Sequence, residues 1–150
     1  MKPIWPGIIA CCLIGAAGCE RKPQPAEVRI ASRSWKVELA LTEDARYRGL
    51  SDRAILGADE GMLFVYPSPR PLEFCMRRCV LPLDIAFLDE ELRVVAIHTM
   101  AVEPYGEERR LYRSIVPAKY ALEVNAGDFA RAGVLVGQKA VFSQVIPRGN

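Results

Sequence analysis

The stretch Phe74 to Asp89, FCMRRCVLPLDIAFLD, decides how this chain is read. Its second half, LDIAFLD, is followed by Glu90-Glu91 and then LRVVAIHTM, which predicts two strands joined as a hairpin. Alternation along the first of them sends Leu83, Ile85 and Phe87 one way and Asp84, Ala86 and Leu88 the other. An aspartate on a partly buried face needs a cation or several N–H donors to offset its desolvation. The first half of the stretch sets Cys75 and Cys79 four residues apart around Met76, Arg77 and Arg78. In an extended strand that spacing spans about 13 Å, beyond the reach of a disulfide, so a bridge requires the chain to bend there.

The rest of the chain after residue 27 is also mostly β in pattern. VRIA and WKVELAL alternate around Ser32-Arg33-Ser34 as a hairpin, and GMLFVY is a β-prone run that the turn PSPRP ends. Thr42-Glu43-Asp44 starts a short helix that carries Arg46 and Arg48 and stops at Gly49. The charged segment 103–113 is expected as an exposed loop. AKYALEVN resumes a strand, Asn125 is expected to cap a helical turn over Asp128 to Ala132, Gly133 stops it, and QKAVFSQV closes the chain as a strand. No internal repeat or second domain is visible. The expected fold is α+β and predominantly β: a compact rolled sheet or small barrel with two short helices.

The first residues speak to compartment. MKPIWPGIIACCLIGAAGCERKPQP holds one lysine, an uncharged apolar run from Ile4 to Gly18, and small residues before Cys19. The run is shorter than the about 20 apolar residues of a membrane span, and it fits a secretory signal peptide. AAGC resembles the lipobox of bacterial lipoproteins, which makes Cys19 the lipid attachment site. Ala16 in place of the commoner leucine and a single basic residue, Lys2, depart from that pattern. The expected organisation is a lipoprotein-type signal peptide over 1–18, a flexible tether over 19–27 and one β-rich domain over 28–147. The expected location is an exported protein, lipid-anchored to a membrane, at the periplasmic face of the outer membrane if the cell has one. Cleavage would leave Cys75 and Cys79 as the only thiols, and in an exported domain such a pair invites a disulfide. The formal net charge of +2 makes no electrostatic case for nucleic acid as a partner.

RYRGLSDR, DEGMLFVY, FCMRRCVLPLDIAFLD and YALEVNAGDFARAGVLVGQKAVF, in that order and spacing, resemble the bacterial and archaeal family named domain of unknown function 192. The resemblance covers essentially everything after the tether. It implies a small mixed fold dominated by β structure, and many members resemble exported or lipid-anchored proteins. It implies no activity. The family usually has tryptophan where Cys75 stands and often threonine, sometimes cysteine, where Cys79 stands, so having both cysteines is a peculiarity of this chain and chemistry built on the pair would be local to it. The C-terminal part also looks similar to the helix, Gly-x-x-x-Gly, strand element of cradle-loop barrels, an analogy of fold alone.

Three classes of function follow from these residues. The leading expectation is a lipid-anchored binding or accessory module for a peptide, protein or small molecule, with Asp84, Arg48, Glu60 and Glu123 as its candidate polar site. In that reading Arg48 is the preferred cation for Asp84. The second is a metal-handling or thiol-redox protein using Cys75, Cys79 and His98. Arg77 and Arg78 would then depress the thiol pKa values. Against it, a lone histidine in VVAIHTM is more often a strand residue than a ligand. The third is a hydrolase built on paired carboxylates, Glu60 with Asp84 or Asp84 with Glu123. No nucleophile elbow, phosphate loop or His-Glu-x-x-His is present, and no cofactor is expected.

Overall fold

The computed structural model describes residues 25–104, 106 and 109–150. Cys19, the expected signal peptide and most of the expected tether lie outside the described residues. The first strand, β1 (Ala26–Ile30), already begins within the expected tether.

β1 pairs antiparallel with β2 (Arg33–Ala40) through a tight turn at Ala31 and Ser32, one residue earlier than the alternation implies. The helix α1 (Glu43–Arg48) then forms as its sequence demands. Thr42 Oγ1 accepts the Ala45 N–H at 3.2 Å, and Gly49 ends the helix at φ 50°. Only glycine suits that end, because an added Cβ would stand 3.3 Å from Cζ of Phe64 in a left-handed backbone. β3 (Glu60–Arg70) returns parallel to β2. It does not stop before PSPRP, as expected from the prolines. It bulges between Val65 and Arg70 and re-pairs at Arg70 with Ala118.

The seven-stranded sheet runs β6 (Val94–Met100), β5 (Leu83–Leu88), β8 (Ala118–Asn125), β3, β2, β1, β9 (Val141–Phe142). It curls into a half-barrel. The segment ahead of β9 ties its two edges: Val94 N–H donates to Gln138 O at 2.9 Å and Ala140 N–H to Leu92 O at 2.8 Å. A two-stranded ribbon, β4 (Glu73–Phe74) with β7 (Tyr112–Arg113), lies in segments expected as turn and loop.

Two apolar cores result, one on each face of the sheet. The first holds Val28, Trp35, Leu63, Ala86, Leu88, Leu122 and Phe129 of α2 (Asp128–Ala132). The second holds Leu50, Met62, Phe64, Leu72, Met76, Ile85 and Phe87, under α1 and the ribbon. β5 sits between them and is buried along its whole length, which is why LDIAFL reads as a nearly continuous apolar run. The mostly β architecture with two short helices is the one expected.

Near α2 the buried Asp128 accepts from Trp35 Nε1 at 3.0 Å and pairs with Arg131 and, at 3.6 Å, with Arg33. Asn125 does not cap α2. Gly127 occupies that position, and the Asn125 amide donates instead to Leu56 O and Gly57 O.

Candidate functional site: an arginine-rimmed cleft with a buried glutamate

The alternation of β5 holds, and it places Asp84 on the α2 side of the sheet. Asp84 is 1% exposed and accepts two hydrogen bonds, from Thr99 Oγ1 at 2.7 Å and from the Phe129 N–H at 3.1 Å. The second satisfies a free donor in the first turn of α2. The expected Arg48–Asp84 ion pair is therefore corrected. Arg48 lies on α1, which packs on the other face, and what offsets the desolvation of Asp84 is a hydroxyl and a backbone N–H. The carboxylate pairs expected for acid–base work are not formed either. Glu123 stands opposite Ile85 and Met62 in register, on the face away from Asp84. Glu60 is exposed and closes a local turn by accepting the Gly57 N–H at 2.9 Å.

Glu123 instead forms part of the floor of a cleft of about 700 Å³. One wall is α1 and the loop after it. The other is the β3 bulge, β4 and the turn from Cys75 to Cys79. The walls are tied to each other. Ser51 Oγ donates to Arg77 O at 2.9 Å, the Asp52 N–H donates to Arg78 O at 2.8 Å, and Arg78 pairs with Asp52 at 2.6 Å. Leu50, Phe64 and Leu72 supply buried apolar lining, with the Phe74 ring packed edge-on at 4.9 Å from Phe64.

Five arginines reach the cleft: Arg46, Arg48, Arg70, Arg77 and Arg109. They are not equivalent. Arg46 is consumed by structure, donating to Leu41 O at 2.6 Å, Val65 O at 2.9 Å and Asn150 O at 2.6 Å over the Tyr66 ring. Arg77 lies 3.6 Å from the Tyr47 ring centroid and donates to Tyr47 O. Arg48 and Arg70 are exposed at the rim, and neither pairs with a carboxylate among the described residues.

The Glu123 side chain is 5% exposed, and no cation or hydrogen-bond donor among the described residues offsets its burial. Desolvation alone pushes its pKa up to about 8, which favours the protonated acid over the carboxylate near neutral pH. The cleft then carries five arginines against the acids Glu43 and Glu73, an excess of three positive charges.

Cys75 and Cys79 both face this cleft as free, half-buried thiols, so the expected bridge is not formed. The turn between them closes through the Cys79 N–H to Met76 O at 3.2 Å, with Arg78 at φ 56°. The expectation of depressed thiol pKa values fails for Cys79. Burial raises it to about 12, Glu123 and Cys75 add to that, and the opposing field of Arg77 is smaller. His98 does not complete a metal site. Its Nε2 lies 2.9 Å from Arg113 O, and its ring packs edge-on between Phe87 and Tyr112. Among the described residues no group of three or more His, Cys, Asp or Glu side chains converges to hold a metal.

Sequence reasoning put Arg48 and Glu123 in one candidate polar site, but with Asp84 and Glu60, which lie elsewhere, and assigned the two cysteines to a separate role. It missed Arg70 and Leu72, hidden in and beside a proline-rich stretch read as a turn. The signal that could have found Glu123 is the charged residue in ALEVN, on the same strand face as Ala121.

The fold and the cleft define a small curled-sheet protein with an arginine-rimmed recess. The family profile of the domain of unknown function 192, described as "Uncharacterized ACR", matches residues 26–142, and the chain belongs to this family. Two solved structures are similar. One, from Sinorhizobium meliloti 1021 and described as a proposed transcription regulator, is 30% identical with a TM-score of 0.72, covering 79% of this chain and 94% of that one. The other, a protein of unknown function from Novosphingobium aromaticivorans DSM 12444, is 34% identical with a TM-score of 0.69, covering 78% and 83%. No curated protein matches the chain at a significant level.

Proposed function

We propose that the protein is an envelope-tethered binding module whose cleft takes a small amphipathic anion. One observation carries this reading: Arg48 and Arg70 stand unpaired with any carboxylate among the described residues over a recess with apolar lining, at whose floor no cation offsets the burial of Glu123. Guanidinium groups suit planar or tetrahedral anions because their N–H fork matches two acceptor oxygens. The apolar lining of Leu50, Phe64 and Leu72 suits the body of such a ligand. The tether is supported by the AAGC stretch ending at Cys19, which would place the cleft at a membrane surface. A role on nucleic acid, as the description of the Sinorhizobium protein would suggest, lacks support from the formal net charge of +2.

The test is titration with anilinonaphthalene sulfonate, an amphipathic anion whose fluorescence rises on apolar contact. Wild type should bind it saturably at one site. Arg48→Ala with Arg70→Ala should weaken binding by about tenfold or more, since charge-assisted hydrogen bonds are worth ~1.5–3 kcal/mol each. Binding unchanged by the double substitution would refute the reading.

A further inference from the structure

The cleft differs at its two ends. Arg48, Arg70 and Arg109 are exposed at the mouth, whereas Glu123 lies at the floor, between Met62 and Ile85 in register. Among the described residues Oε2 of Glu103 is the one sealed side-chain polar atom without a partner, so the Glu123 carboxyl is not shut into the core but keeps access to the cleft, where a ligand group can reach it. The carboxyl has no donor or cation from this chain among the described residues, yet it borders the open volume of the cleft.

We propose that Glu123 is a specificity-determining residue that donates its acid proton to a neutral oxygen acceptor at the inner end of the ligand. The ligand class is then an amphipathic acid with its anionic group at the arginine rim and a carbonyl or ether oxygen, which can only accept, at the far end of an apolar body. The inference rests on the reading of the cleft as an anion site and adds what the floor selects. A ligand ending in a second carboxylate would also meet the acid but would leave a buried negative charge, so an uncharged oxygen is preferred. An ammonium group is disfavoured, because a protonated carboxyl and an arginine excess offer it no counter-charge.

Proton-linked selection follows, because the acid can donate only while it holds its proton. The groups facing it come from each wall. β3 brings Tyr66, whose phenol is itself pushed upward by burial, and the turn brings Cys75, Cys79 and Arg77. From α1 come Glu43, Arg46 and Arg48, and from the rim Arg70, Glu73 and Arg109. Cys79 titrates only near 12, and a Cys75→Ser background removes the other thiol from the pH profile.

The experiment uses two probes, naphthoate and an acetylnaphthoate with its acetyl carbonyl on the ring distant from the carboxylate. Their affinities are measured by calorimetry on the Cys75→Ser protein, below and above the pH of about 8 at which Glu123 ionises. The acetylated probe should bind about tenfold tighter on the acid side, and the preference should shrink on the alkaline side, where the carboxylate has no proton to give the carbonyl. Glu123→Gln, a neutral donor of the same shape, should keep the preference with no pH dependence. Glu123→Leu should lose it while still binding naphthoate. If both probes bind equally, with binding still dependent on Arg48 and Arg70, the role of Glu123 is refuted and the anion site stands. If neither probe nor anilinonaphthalene sulfonate binds, the anion site itself is refuted and this inference with it. A preference that survives in Glu123→Leu would also overturn the assignment.

Discussion

Replacing Asp84 separates the hydrogen-bonded arrangement from an ion pair. In Asp84→Ala, the Phe129 N–H in the first turn of α2 loses its acceptor at a fully buried position, while the Thr99 hydroxyl, on an exposed residue, can turn to water. Stranding one buried donor costs about 1–3 kcal/mol, and the lost bond was to a charged acceptor, so the expected destabilisation is about 3 kcal/mol. Asp84→Asn is milder. Its carbonyl can accept from Phe129 and its amide can donate to the Thr99 oxygen, leaving a cost of about 1 kcal/mol for the lost charge. Arg48→Leu should change stability by less than about 0.5 kcal/mol, as expected for an exposed residue outside any pair. In thermal melts at roughly 2–8 °C per kcal/mol, these become a fall of ~10 °C for alanine, a few degrees for asparagine and almost none for Arg48→Leu. An ion pair would give a different order, with Arg48→Leu itself costing about 3–5 kcal/mol by leaving a buried charge unpaired. A large loss in Arg48→Leu would refute the hydrogen-bonded account of Asp84.

Glu123 should make folding stability depend on pH in the direction opposite to an ordinary paired carboxylate. Its folded pKa of about 8 lies above the ordinary glutamate value of 4.5, so the folded state holds the proton more tightly. Stability is then greatest below pH 4.5 as far as this group is concerned, and it falls as pH rises through 8 by at most about 5 kcal/mol. Glu123→Gln should remove that slope in urea melts and exceed wild type in stability on the alkaline side; a parallel slope in the variant would disprove the burial argument. The thiols should differ in iodoacetamide labelling of the native protein, with Cys79 slowed by the burial that raises its pKa to about 12. Faster alkylation of Cys79 than of Cys75 would contradict the structure of that turn. Cys19→Ser should shift the protein from the membrane fraction to the soluble fraction or leave it unprocessed, and wild type should incorporate a palmitate analogue. Soluble wild type with no label would remove the lipid tether.

The fold was legible where local chemistry decides it. Thr42 and Gly49 bracket α1 as their types require, the β1–β2 and β5–β6 hairpins follow alternation, and the facing of Asp84 follows from the same period of two. What stayed illegible depends on distant partners. Asp84 is satisfied by Phe129, 45 residues away, through a backbone N–H that no side-chain pattern announces. The prolines of PSPRP suggested an end to β3, yet the strand bulges past them and delivers Arg70 to the cleft, because edge-like positions at a bulge need no ladder N–H. The field of Arg77 was expected to govern Cys79, but burial outweighs it, and burial is a property of the packed turn rather than of neighbours in sequence. Glu123 was recognisable as a charge in an apolar strand. That no cation among the described residues offsets its burial became visible only once β8 was seen between β3 and β5.

The central claim is that anions enter the cleft between α1 and the Cys75–Cys79 turn and meet Arg48 and Arg70. Arginine Nε–H NMR signals report this directly, because they shift when the guanidinium gains an anionic partner. On titration with anilinonaphthalene sulfonate, the signals of Arg48 and Arg70 should move together and saturate, while those of Arg33 and Arg131, held by Asp128 near α2, should stay fixed. Saturable shifts at Arg33 and Arg131 with Arg48 and Arg70 unmoved would contradict the claim.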